Sequence, residues 1–290
     1  MDYVIALGGN AISGAPYIDK VAQEIVKQYL KGNRIVITHG NGPQVGALFE
    51  KSPGNLSILT METEVQIGMQ LKRVIEKALK KSGKNPNGIV KIVKTKVIVD
   101  KNDNAFHNPT KPIGRFLTHS EANKLTSKGL AVKKLIGGYR HVVPSPIPKR
   151  IVQIDLIRRL MKSKIVIACG GGGAAVTKSK TGLTRADAVI DKDRVSALLA
   201  KQIDADILLI LTNVDGAFLN YGKSNQRFIA KISANRLHSY AMDGQFEEGS
   251  MKPKVEACID FVKHTKCAAV IGNLSKPANA FSFRGVTMVA

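Results

Sequence analysis

No tryptophan occurs in this chain of 290 residues, and aromatic residues together make up only 5% of it. The stacking rings through which RNA-binding and single-strand-binding modules grip bases are therefore missing as a pattern. Cysteine is scarce as well. Cys169, Cys258 and Cys267 form no CxxC pair and no even set, which excludes a disulfide framework and leaves free thiols of a cytoplasmic protein as the expectation. The six histidines show no zinc spacing either. No apolar run is long enough to span a bilayer. Met1-Asp2-Tyr3 leads straight into an apolar segment with no basic leader or small-residue cleavage site. Secretion is therefore not expected, nor glycosylation at Asn55-Leu56-Ser57.

Acidic residues are also few: 22 Asp and Glu stand against 44 Lys and Arg, a formal net charge of +22. Such an excess suits phosphorylated substrates or nucleic acid. The basic residues are dispersed, as at Lys133-Lys134, Lys149-Arg150 and Arg158-Arg159, which weighs against nucleic acid as the main partner. With 44% hydrophobic residues and no low-complexity tract, the chain reads as one large globular domain or two joined lobes with a substantial core.

What the chain does have is glycine at the ends of apolar segments. Val166-Ile167-Ala168-Cys169 empties into Gly170-Gly171-Gly172-Gly173. The apolar part predicts a buried strand, and the quartet lets the backbone turn sharply enough to aim several N–H groups at one anion. Two similar junctions lie upstream. Val4-Ile5-Ala6-Leu7 runs into Gly8-Gly9-Asn10, and Ile35-Val36-Ile37-Thr38 runs into His39-Gly40-Asn41-Gly42-Pro43-Gln44-Val45-Gly46. Ligands of open parallel sheets sit beyond the carboxyl ends of the strands, so three such turns predict one shared phosphate site.

Between these junctions the spacing predicts helices over 18–29, 62–81, 153–162, 194–201 and 253–262, and strands over 89–99, 207–211, 268–271 and 286–289. Strands alternating with helices indicate an α/β layered fold. The alternation breaks over 102–148, where Asn108-Pro109-Thr110-Lys111-Pro112-Ile113-Gly114, Gly137-Gly138 and Pro144, Pro146 and Pro148 predict a small protruding subdomain, with only 120–128 helical.

Three lysines carry possible chemistry. Lys254 follows Ser250, a suitable N-cap, and Pro253, a first-turn residue; a cation there opposes the helix dipole unless an anion binds beside it. It reads equally as a surface lysine. In Asp191-Lys192-Asp193 two carboxylates flank one lysine and hold its charge, help to hold Mg²⁺, or merely cap the next helix. Lys111, stiffened between prolines, is presented as a single long cation or is a plain loop residue. Gly216 to Gly222-Lys223-Ser224 misses the P-loop spacing by one residue, and the protein-kinase HRD and DFG elements are absent.

Taken in order, Ile5-Ala6-Leu7-Gly8-Gly9-Asn10-Ala11, Thr38 to Gly46, Val99-Asp100-Lys101-Asn102-Asp103, Asn108 to Gly114 and Val142-Val143-Pro144-Ser145-Pro146 resemble the carbamate kinases. So do the quartet, Ala188-Val189-Ile190-Asp191-Lys192-Asp193, and Gly249-Ser250-Met251 with Pro253-Lys254-Val255. The resemblance implies the amino acid kinase fold, an open and mainly parallel sheet between helix layers. It implies phosphoryl transfer between ATP and carbamate, a Mg²⁺ requirement and a homodimer. Gly8, Gly9, Asn10, Gly40, Asn41, Gly42 and Gly170, Gly171, Gly172 and Gly173 would hold carbamate and the moving phosphoryl group. Lys111, Lys192 and Lys254 would meet the phosphates, with Asp193 orienting them. Thr212, Asn213, Asp215 and Tyr221 would serve the nucleotide. A single domain is expected, with a carbamate side over about 1–190, a nucleotide side over about 191–290, and 102–148 as a lid. Acetylglutamate kinases carry a lysine where this chain has Ala6, the carbamate kinase pattern; another acyl-phosphate-forming kinase of the same fold is the nearest alternative. A non-catalytic basic protein that binds nucleotide or nucleic acid is the more distant one. The run Val65-Gln66-Ile67-Gly68-Met69 and the stretches 47–60 and 281–290 depart from the family pattern.

Overall fold

The computed structural model describes residues 1–8, 17–135 and 137–290. The described residues begin with β1 (Asp2–Leu7), α1 (Ile18–Leu30), β2 (Arg34–His39), α2 (Gly42–Lys51) and α3 (Leu56–Lys81). Two short strands, β3 (Val90–Val93) and β4 (Lys96–Val99), precede β5 (Lys111–Leu117), α4 (His119–Thr126), β6 (Val132–Leu135) and β7 (Gly138–Val143). Then come β8 (Pro148–Ile151), α5 (Ile154–Met161), β9 (Ile165–Ala168), β10 (Ala174–Ser179) and β11 (Gly182–Val189). The remainder holds α6 (Lys192–Gln202), β12 (Ile207–Thr212), β13 (Phe218–Leu219), β14 (Arg227–Phe228), β15 (Lys231–Ile232) and α7 (Ala234–Met242). It closes with α8 (Met251–Thr265), β16 (Ala268–Asn273), α9 (Pro277–Phe281) and β17 (Thr287–Val289).

Eight strands form the main sheet in the order β15-β17-β16-β12-β1-β2-β9-β3. From β16 to β3 every neighbouring pair is parallel; β17 runs against β16 at one edge. The period-two alternation of side chains divides the core between its faces. Val4, Ala6, Val36, Val166, Leu208 and Ile210 face the apolar stripes of α5, α6 and α8, including Ile157, Val195, Leu199 and Phe261. Tyr3, Ile5, Leu7, Ile35, Ile37 and Leu209 face α1 and α3 through Val21, Ile25, Ile67, Leu71 and Ile75. Strands buried on both faces read as unbroken apolar runs, as parallel strands between helix layers must. The fold is thus α/β, a mainly parallel sheet between two helix layers. Among the described residues no helix is long and apolar enough to cross a membrane.

The stretch 89–99 is not the single strand its alternation predicts. It divides into β3, in the main sheet beside β9, and β4, which joins β11-β10-β4-β8 as a second sheet. The break falls at Lys94-Thr95, where Thr95 is fully buried and gives its backbone N–H to the Glu64 side chain, so it is unavailable to a ladder. A third sheet, β5-β7-β6, carries α4 and rests on α2. Its approach is close enough that a Cβ on Gly46 would lie 1.9 Å from the Gly114 backbone, so glycine is required there.

Candidate active site

A cleft of about 280 Å³ opens beyond the carboxyl ends of the central strands. Gly8 lines it after β1, Gly40, Asn41 and Gly42 after β2, Gly171 after β9, and Thr212 and Asn213 at the end of β12. Three helices point their N-termini at it: α2 from Gly42, α6 from Lys192 and α8 from Met251. Each brings the positive end of a macrodipole, so the cleft favours anions before any charged side chain is considered.

The side chains add to that bias. Asp191 caps α6: its Oδ1 accepts the N–H groups of Asp193 at 2.9 Å and Arg194 at 3.3 Å. Its Oδ2 accepts Lys111 Nζ at 2.6 Å, from the start of β5. Asp193 takes the next two ammonium groups, Lys192 on Oδ1 and Lys254 on Oδ2 at 3.3 Å. Lys254 also donates to the Ser250 carbonyl at 3.0 Å, and Ser250 stands at the N-cap of α8 without a side-chain cap bond. Behind Lys192, Thr38 and Ser196 share a 2.6 Å hydrogen bond, and Ser196 donates to the Lys192 carbonyl at 2.6 Å. Three cations therefore share two carboxylates, and one positive charge remains for a ligand.

Burial and charge pull the titrations in different directions. Burial favours the neutral form of Asp191, but the ammonium groups of Lys111, Lys192 and Lys254 outweigh it and hold this carboxyl below the usual range. Burial lowers Lys192, and Asp193 offsets it only in part while Lys254 adds to it. For Lys254 burial also lowers, but Asp193 and Asp191 prevail and the ammonium form is favoured.

The glycine quartet is more sharply divided than its sequence suggests. Gly171, at φ +65, is the member that lines the cleft, and a Cβ there would fall 2.0 Å from the Asn41 side chain. The Gly170 N–H is taken by Glu64, the Gly172 N–H by the Cys169 carbonyl, and the Gly173 N–H by the Gly170 carbonyl. Only the Gly171 N–H is without a partner among the described residues. Asn41 itself is buried and donates from Nδ2 to Thr63 Oγ1 at 2.8 Å.

Gly9 and Asn10 lie outside the described residues. Asp215 and Tyr221 do not line this cleft. Asp215 is engaged by Asn273 Nδ2 at 2.9 Å and Lys276 Nζ at 3.0 Å, which together hold its carboxyl low. Tyr221 is 62% exposed beside Phe218. A wider cleft of about 900 Å³ continues outward between Lys133, Lys134 and Arg140 on one wall and Glu247 and Glu248 on the other.

As for Mg²⁺, every oxygen of Asp191 and Asp193 already accepts an ammonium or backbone N–H group. Among the described residues no group of three His, Cys, Asp or Glu side chains is placed to hold a metal. These carboxylates do not fit a protein-held Mg²⁺.

Two participants escape sequence reasoning or are only half seen by it. Asp191 reads as a helix cap, and its pairing with Lys111, eighty residues away, carries no local signal. Glu64 reads as one polar position on a long helix, yet it is 1% exposed and faces the glycine turn.

Comparison with known proteins agrees with this geometry. Residues 1–273 match the model of the amino acid kinase family. Carbamate kinase 3 of Staphylococcus aureus is 40% identical, covering 99% of this chain and 98% of that protein. The carbamate kinase of Pyrococcus horikoshii is 39% identical over the same shares. Among solved structures, the carbamate kinase of Giardia lamblia bound to AMP-PNP superposes with a TM-score of 0.87 at 34% identity, covering 99% of this chain and 98% of that one. With this sheet, this cleft and full-length likeness to such relatives, the chain belongs to the amino acid kinase family and, within it, to the carbamate kinases.

Proposed function

We propose that the cleft transfers a phosphoryl group reversibly between ATP and carbamate, forming ADP and carbamoyl phosphate. The observation that carries this reading is the surplus of three clustered ammonium groups over two carboxylates, set where three helix N-termini and the Gly171 N–H converge. Carbamate is already an anion, so no general base is needed to create the nucleophile. The work left to the protein is to bring two anions together in line and to neutralise charge spread over the moving phosphoryl oxygens.

In the direction of ATP synthesis, a terminal phosphate oxygen of ADP attacks phosphorus as the bond to carbamate breaks, and carbamate leaves with the electron pair. Lys192 and Lys254, held by Asp193, meet the transferring group, and the Gly171 N–H donates to one of its oxygens. Lys111 closes over it from β5, its reach set by Asp191; on this reading 102–148 is a lid. Gly8, Gly40, Asn41 and Gly42 frame the carbamate side and Thr212 and Asn213 the nucleotide side, with Asp215 and Tyr221 further out along the nucleotide. Gly9 and Asn10 are kept as carbamate-side residues on the resemblance alone. Magnesium would come with the nucleotide's own phosphates, since the carboxylate oxygens of Asp191 and Asp193 are already engaged. The reading also includes one domain with its carbamate side over about 1–190 and its nucleotide side over about 191–290, a homodimer and a cytoplasmic location.

Formation of ATP from ADP and carbamoyl phosphate tests the reading, with acetylglutamate and ATP as the competing pair. Robust ATP formation from carbamoyl phosphate and no phosphorylation of acetylglutamate is the expected outcome. The reverse preference would assign the site to a carboxylate acceptor.

A further inference from the structure

Beneath the floor of the cleft sits a carboxyl group that the transfer just described does not use. Glu64, in the third turn of α3, is 1% exposed. Its Oε1 accepts the Gly170 N–H at 3.1 Å and its Oε2 accepts the Thr95 N–H at 3.1 Å. Thr95 in turn holds both ends of the glycine turn. Its Oγ1 accepts the Cys169 N–H at 2.9 Å and its carbonyl accepts the Ala174 N–H at 2.8 Å. Its hydroxyl donates to the Val93 carbonyl at 2.9 Å, so it is itself fixed to the end of β3.

The turn so held is an unusual one. Cys169 adopts φ +53 and Gly171, Gly172 and Gly173 adopt φ +65, +88 and +72, conformations in which a non-glycine residue is strained. Close packing allows it no second position, because a Cβ on Gly170 would fall 2.4 Å from the His39 ring and 2.8 Å from Glu64. With the amides of Cys169, Gly170, Gly172, Gly173 and Ala174 all taken up by protein acceptors, the direction of the Gly171 N–H is decided by these bonds.

We infer that Glu64 is a positioning residue for phosphoryl transfer: by gripping Gly170 and Thr95 together from below, it aims the Gly171 N–H at the transferring group. This rests on the reaction proposed above. Glu64 touches no substrate; it acts through the turn. Displacing a donor by about an ångström costs on the order of 100-fold in rate, so the grip has a kinetic consequence out of proportion to its distance from the chemistry.

The test compares the parent with Glu64→Leu, which keeps bulk but removes both acceptors, and Glu64→Gln, which keeps one carbonyl oxygen for the Gly170 N–H. Three readouts are taken: kcat for ATP formation from ADP and carbamoyl phosphate, the dissociation constant of ADP, and amide hydrogen exchange at Gly170, Thr95 and the β9 residues Val166 and Ile167. In Glu64→Leu, kcat falls on the order of 100-fold while ADP affinity stays within about threefold. Gly170 and Thr95 then exchange faster while β9 stays protected. Glu64→Gln recovers most of the lost rate. The inference is overturned by any of three results: Glu64→Leu turning over within about threefold of the parent, Glu64→Gln as impaired as Glu64→Leu, or β9 protection and ADP binding lost together with rate, which marks a purely structural role. If the parent itself makes no ATP from carbamoyl phosphate, the proposed reaction fails, and the exchange of Gly170 and Thr95 still decides whether Glu64 grips the turn.

Discussion

Asp193 holds two lysines with one carboxylate, and Asp193→Asn removes the charge while keeping the shape. Its side chain is 4% exposed and those of Lys192 and Lys254 are 11% and 15% exposed, so all three lie on the buried side of the ion-pair scale. At the 3.3 Å separation of Lys254 Nζ and Oδ2, an effective dielectric of about 20 gives roughly 5 kcal/mol of attraction, much of it offset by desolvation. Breaking a buried pair by removing one partner costs about 3–5 kcal/mol. In a chain of this length that corresponds to a fall in Tm of roughly 5–15 °C. Lys192 is already lowered by burial, and without Asp193 it is lowered further. The sign follows from linkage. A lysine that sheds its proton in the folded state while the unfolded chain keeps it makes stability rise with pH, so the stability deficit of Asp193→Asn shrinks as the solution is made alkaline. Catalysis needs the ammonium form, so the activity deficit, on the order of 100-fold at neutral pH, shrinks as pH is lowered. Thermal melts and ATP-formation rates from pH 6 to 9, taken in parallel, measure the two trends. Deficits that move together with pH, or a Tm within about 1 °C of the parent, would refute the assignment of Asp193 as the shared counter-charge.

Further outcomes follow from the same geometry. Lys111→Ala leaves the two cap bonds of Asp191 in place and lowers kcat on the order of 100-fold, with ADP affinity within about threefold; a large loss of ADP binding would instead make Lys111 a nucleotide ligand. Gly171→Ala sets a methyl against Asn41 in a left-handed conformation and reduces kcat by at least about tenfold; steady-state kinetics with Asn41→Ala in the same background, recovering part of the loss, separates the clash from the backbone strain. Burial raises the Glu64 carboxyl to about 8. The folded state then keeps a proton that the unfolded chain releases, so this group makes stability fall as pH rises from the ordinary carboxyl value of 4.5 to about 8, by about 1.4 kcal/mol per pH unit at most. The groups facing it are His39 from β2, Cys169 from the glycine turn and Lys94 beside Thr95. His39, lowered from 6.5 to about 4 by burial, acts oppositely, and its contribution is lost as pH falls between those two values. The two slopes offset each other up to about pH 6.5, so urea titrations at several pH values should show the fall between about pH 6.5 and 8 in the parent and a flatter profile over that range in Glu64→Gln.

The fold was legible where one physical signal dominated. The unbroken apolar runs at 4–7, 35–37, 165–168 and 207–211 had to be strands buried on both faces, and each emptied into glycine or a polar turn at the end where the cleft lies. The alternation of 89–99 misled, because no local pattern shows that Thr95 must turn away to serve the glycine quartet. The quartet itself promised several amides to a ligand; three of its four are used to hold the turn, which depends on contacts with Glu64 and within the turn and not on composition. The lysines were readable as residues but not as a cluster. Lys111, Lys192 and Lys254 come from three elements, and only their common aspartates, Asp191 and Asp193, reveal why the positions matter. Glu64 had no signal at all, since one acid on a 26-residue helix with many polar positions reads as solvent-facing.

The central claim is that ammonium groups drawn together by two aspartates carry the charge of a phosphoryl group in flight. Turnover of ADP and carbamoyl phosphate by Lys192→Ala and Lys254→Ala measures it most directly. Each variant is expected to fold, to bind ADP, and to lose about 3–4 kcal/mol of barrier stabilisation, a fall on the order of 100- to 1,000-fold in kcat. Turnover within a few-fold of the parent in either variant would contradict it.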